Sequence, residues 1–152
     1  MTAPYHHTQR GTLTLAAGLV PAIVFAFAAF ATPASRARWL PAAVAIACVV
    51  LAWLFSSLTV EVRECELHWF FGPGIWRYRI ALAEVDGVAI VRNKWWNGFG
   101  IRMRPGFRLY NVSGLDAVEL RLKTGEVRRI GTDDPQGLAA AMRPCIRRAQ
   151  LR

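Results

Sequence analysis

The chain has 152 residues, 54% of them apolar, and carries 19 Lys and Arg against 10 Asp and Glu for a formal net charge of +9. That length holds one modest core and excludes two large domains. All ten acids fall after residue 58, together with all but Arg10, Arg36 and Arg38 of the cations, so the first third is a nearly uncharged polymer and the rest a basic one.

Residues 1–11 read as a polar tail. Two apolar runs follow, Thr12–Ala31 and Trp39–Leu58, neither with a charged residue. Each is about the ~20 residues a helix needs to cross a ~30 Å hydrocarbon core. With only Thr32–Arg38 between them, they predict a transmembrane hairpin over 12–58, so that the chain is an integral membrane protein in contact with lipid. Ala29-Phe30-Ala31 resembles a leader cleavage site, but the run is longer than a leader's apolar region and a second follows at once. Neither run holds the ionisable residue that a transport path would need. Thr14, Gly18, Ala22 and Ala26 recur every four residues, as do Ala43 and Ala47, a small-residue spacing that suits packing within the hairpin or a homodimer.

Arg36 and Arg38 in the connection nearly balance Arg10, Arg63 and Arg77 on the other flank, and His6, His7 and the free amine of the tail tilt the expectation toward both termini in the cytoplasm. Cys48 lies inside the second run; Cys65 and Cys145 could meet but show no framework spacing, so a reducing compartment is expected.

Beyond Leu58 the apolar repeat changes to two, the mark of half-buried strands. Val60 and Val62 alternate with Glu61 and Arg63; Trp76, Tyr78, Ile80 and Leu82 with Arg77 and Arg79; Val118, Leu120 and Leu122 with Glu119, Arg121 and Lys123. Gly72-Pro73-Gly74, Arg104-Pro105-Gly106-Phe107 and Thr124-Gly125 supply turns. The pattern predicts seven or eight antiparallel strands over 59–152 in a small barrel or bent sandwich, an α+β domain. Asp134 before Pro135 predicts a helix start. Leu138, Met142, Ile146 and Ala149 form its apolar stripe over about 135–149, with Pro144 expected to kink or shorten it.

A sheet of about seven antiparallel strands closed by one helix resembles the pleckstrin-homology architecture. Gly98-Phe99-Gly100-Ile101-Arg102, Tyr110 to Leu120 and Arg129 to Pro135 are similar to bacterial PH-like domain proteins, which commonly carry two transmembrane helices ahead of the domain. The resemblance implies a fold and a setting at the inner face of the plasma membrane, multi-pass with both termini cytoplasmic. It transfers no catalytic residue. The basic first-hairpin pattern of phosphoinositide-binding relatives is missing, since Thr59 to Gly74 holds only Arg63.

The residues predict no enzyme and no cofactor or metal. Asp133 and Asp134 suit a helix cap, Ser113 lacks a nucleophile elbow, and His68 has no second ligand at metal spacing. Nucleic acid is disfavoured because no stacking motif or recognition-helix pattern accompanies the charge. Two classes remain: a protein-interaction or assembly platform with a partner in the membrane, and an anionic-lipid-responsive module. The candidate contact residues are Arg92, Lys94, Arg102, Arg104 and Arg108, with Trp95, Trp96 and Phe99 on the loop Asn93 to Gly100, where adjacent tryptophans suit a bilayer interface or an interaction hot spot. Alternation predicts a shared face for Arg102 and Arg104 and the opposite one for Ile101 and Met103.

Overall fold

A computed structural model describes residues 4–33, 36–94 and 100–151. It opens on strand β1 (Tyr5–Arg10), which pairs antiparallel with β2 (Ser57–Arg63), Tyr5 lying opposite Val62 and Arg10 opposite Ser57. The tail expected at 1–11 is therefore largely an edge strand. Its periodicity is silent because its inward residues, Tyr5, His7 and Gln9, are held by polar partners. Helices α1 (Thr12–Ala31) and α2 (Trp39–Leu54) grow out of the end of this two-stranded ribbon.

The second apolar run is helical only to Leu54, short of the expected Leu58. Leu58 is fully buried, where it begins the inward stripe Leu58, Val60, Val62 of β2. At 20 residues α1 is long and apolar enough to cross a membrane, whereas α2, at 16, is apolar but shorter. The two helices pack through small residues. Gly18 lies so close to Ala52 that a Cβ on it would sit 2.6 Å from the Ala52 Cβ, and Ala22, Ala45 and Ala52 are buried. Ala43 and Ala47, expected on a contact face, point outward; the stripe that meets α1 is Ala45, Cys48 and Ala52. Pro21 is accommodated within α1 without ending it.

β3 (Glu66–Phe71) and β4 (Arg77–Ala81) complete a four-stranded sheet in the order β1-β2-β3-β4. A second sheet holds β5 (Val85–Arg92), β6 (Gly100–Arg104), β7 (Phe107–Asn111), β8 (Asp116–Leu122) and β9 (Val127–Gly131) in the order β5-β8-β9-β7-β6. The described residues thus form nine strands in two open sheets, with no closed barrel. One pair, β7 and β9, is parallel, a departure from the all-antiparallel expectation. Inward residues of both sheets share one core, in which Trp69 stacks on Tyr78 and meets Tyr110 edge-on at 5.1 Å.

Helix α3 (Pro135–Gln150) packs Leu138, Met142 and Ile146 onto this core, and Pro144 lies on its exposed face without shortening it. Asp134 caps its start by accepting the Gly137 N–H at 2.9 Å. The same carboxylate accepts the Tyr5 hydroxyl at 3.1 Å, and His7 pairs with Asp133, so the first strand is tied to the last helix. Cys65 and Cys145 form a disulfide, at odds with the reducing compartment expected from cysteine spacing.

Candidate functional site

The end of the sandwich that carries the helices is built as a rigid junction. Gly11, alone between β1 and α1, donates its N–H to the Ser56 carbonyl at 2.7 Å, and only Phe55 and Ser56 separate α2 from β2. The Thr14 hydroxyl lies 2.8 Å from the Gly11 carbonyl and 2.9 Å from that of Phe55, which joins the two chain crossings. Gly72 donates its N–H to the Ser57 carbonyl at 2.9 Å and has φ +46°, and a Cβ there would stand 2.5 Å from the Leu54 carbonyl oxygen, so only glycine fits. Gln9 donates to the Ser113 carbonyl at 2.8 Å, bringing the β7–β8 loop to the same end. No free linker intervenes, so the helices and the sandwich move together.

Around this junction the surface is apolar and aromatic. Phe55 stacks on Trp76 and meets Phe71 edge-on; Ile75, Trp76 and Trp53 are exposed. At the far end of the hairpin Trp39 is 70% exposed, with the Arg38 guanidinium 5.9 Å from its ring. Between these ends the helices present Leu19, Val20, Ile23, Val24, Phe27, Ile46 and Val50 to the outside. A cleft of about 420 Å³ runs between the hairpin and β6, lined by Ala17, Gly18, Leu51, Phe55, Gly100 and Ile101.

The predicted contact residues divide between places. Arg92 and Lys94 are exposed beside Asn93, whose N–H donates to the Leu115 carbonyl at 2.6 Å. Arg102 and Arg104 share the outer face of β6 as expected. Ile101 packs on the core, but Met103, at the sheet's edge beyond the core, is 61% exposed. Arg108 stands opposite Met103 across the β6–β7 ladder and therefore on the other face from Arg102 and Arg104, where it pairs with Glu126 at 2.8 Å. The three arginines do not form one cationic surface. Trp95, Trp96 and Phe99 lie outside the described residues.

A polar network missed by the sequence reading underlies this outer face. Arg129 donates to Glu119 at 2.8 Å from Nε and to the Asn93 side-chain oxygen at 3.1 Å, and its guanidinium lies 5.2 Å from the Phe107 ring centre. Glu119 and Asn93 are buried, and every arm of Arg129 is engaged, so its work is to hold Asn93 in place just beyond the end of β5. Hydrogen bonding from Arg128, and then the nearby charges of Arg128 and Arg108, holds the Glu126 carboxyl below its usual range. Burial raises the Tyr78 phenol, as does neighbouring Tyr110. His68 pairs with Glu66 at 3.1 Å, and among the described residues no three His, Cys, Asp or Glu side chains converge as metal ligands would.

Compared with known proteins, the chain matches no family model, and no curated protein is similar to it in sequence.

Proposed function

We propose that this chain is a membrane-anchored platform: α1 and α2 lie in the bilayer, and the sandwich stands on them as a rigid surface for a protein partner in the same membrane. One observation carries the reading. A helical hairpin with an apolar exterior rises directly from the β1–β2 ribbon, with tryptophans at both ends. In water so large an apolar surface would drive association, whereas lipid covers it without cost and seats Trp39, Trp53 and Trp76 at the two interfaces. Trp39 to Trp53 spans about 21 Å of helix, and the flanking residues supply the remaining depth.

A cleaved leader is disfavoured because removing α1 would also remove β1, whose Tyr5 and His7 tie the sheet to α3. The resemblance to bacterial PH-like proteins agrees with this arrangement and adds a fold expectation of its own. The platform is favoured over the anionic-lipid module because Arg102 and Arg104 face away from Arg108, which Glu126 already neutralises. Affinity purification of the full chain from native membranes in mild detergent, followed by crosslinking through Arg102→Cys, tests the reading. A membrane protein crosslinked at that face supports it; recovery of lipid alone contradicts it.

A further inference from the structure

We infer that the sandwich stands on the oxidising side of the membrane, with the Arg36–Arg38 connection on the reducing side, and that the Cys65–Cys145 bond pins α3 there. The inference rests on the membrane reading of α1–α2 and departs from the cytoplasmic orientation that resemblance implies.

Three independent observations meet. First, the two cysteines are bonded across a separation of 80 residues, their Cα atoms 5.4 Å apart. Such bonds persist in oxidising compartments and are rare where cellular thiols keep cysteines reduced. Second, the backbone is shaped to deliver one of the sulfurs. Glu64 and Cys65 form the two-residue turn between β2 and β3 with φ of +50° and +62°, where Asn-Gly is the usual choice. A bulky residue held in the left-handed region persists where surrounding contacts over-determine it. Here the Cys65 carbonyl accepts the Leu82 N–H at 2.9 Å, and Cys145 is buried between Met142 and Ile146.

Third, charge asymmetry agrees. Lys and Arg in short connections stay on the cytoplasmic side, and folded domains cross largely regardless of their charge. Arg36 and Arg38 occupy a connection of seven residues. The opposing cations Arg10, Arg63 and Arg77 belong to strands of the sandwich, and Arg63 lies at the strand end away from the helices. Arg10 alone of these stands beside a helix end, so the connection holds two cations against one and the asymmetry favours its cytoplasmic side.

The bond forms when Cys65 and Cys145 give up two protons and two electrons to a disulfide-donating oxidoreductase, whose own disulfide becomes a dithiol. Cys65 lines an open cleft with Glu66 and Arg148, which admits that donor.

The test uses the full chain with Cys48→Ala, produced in bacterial cells and quenched in acid, so that only this pair can react. Two further variants add Ala37→Cys in the helix connection or Thr124→Cys in the β8–β9 turn, both exposed positions away from the core. The expected result is no maleimide-reactive thiol before reduction and two after it. In intact spheroplasts an impermeant maleimide should label Thr124→Cys fully and Ala37→Cys only after lysis. Two free thiols without reduction, or the reverse labelling pattern, overturns the inference. Carbonate washing of the same membranes separates the two claims, because release of the chain removes the membrane reading and the orientation with it, whereas retention with reversed labelling removes the orientation alone.

Discussion

Gly11 donates its N–H to Ser56 at 2.7 Å, so the last rung between β1 and β2 sits one residue from the start of α1. A β-carbon on Gly11 would crowd the Thr14 hydroxyl and stand 2.8 Å from the Phe55 carbonyl, which is fixed backbone. Gly11→Val should cost about 1–3 kcal/mol, in the range of overpacking at a tight site. Thermal unfolding of the full chain in detergent checks this, and an unchanged Tm would mean that the junction yields.

Because the helices are inserted in a β-hairpin, they should be removable only at that hairpin's end. Joining Arg10 to Ser57 through Asn-Gly keeps the β1–β2 register and should give a soluble domain that unfolds cooperatively. A fragment beginning at Thr59 loses β1, Leu58 and the Tyr5–Asp134 tie, and should expose core and aggregate. Circular dichroism melts of the two separate these outcomes; equal folding of both would show that β1 contributes little.

Burial first, and then the Asp134 carboxylate, push the Tyr5 phenol well above its ordinary value. A group raised in the folded state contributes stability below its unfolded pKa of about 10 and loses it as pH rises further. Tyr5→Phe should therefore cost about 1 kcal/mol near neutrality, and the gap in Tm from the parent should shrink above about pH 10. A gap that stays constant into that range would contradict the assignment.

Arg129→Met leaves the buried Glu119 carboxylate with only the exposed Arg121 guanidinium at 3.5 Å, which should cost roughly 1–2 kcal/mol. Adding Glu119→Gln removes that poorly compensated charge and should recover part of the loss, a coupling measurable as a double-mutant cycle. Additive effects would show that the two side chains act separately.

What the sequence disclosed follows from where its signals are local. Uninterrupted hydrocarbon marks α1 at both ends, and Asp134-Pro135 marks the start of α3, because a cap and a proline act within one turn. β1 escaped because His7 and Gln9 face inward through bonds to Asp133 and Ser113, partners more than 100 residues away that no periodicity reveals. The parallel β7–β9 pair is likewise a non-local choice. The separation of Arg108 from Arg102 and Arg104 was legible: with Arg104 and Phe107 paired across the Pro105-Gly106 turn, residue 108 must fall opposite Met103. The Arg129–Glu119–Asn93 network was not, since cross-strand register sets it.

The central claim is that α1 and α2 hold the sandwich in a bilayer. Alkaline carbonate extraction of membranes from cells producing the full chain, beside cells producing the version in which Asn-Gly replaces the hairpin, tests it most directly. The full chain should stay in the membrane pellet and the shortened one should appear in the supernatant. A full chain recovered in the supernatant as a folded, monodisperse protein would contradict the account.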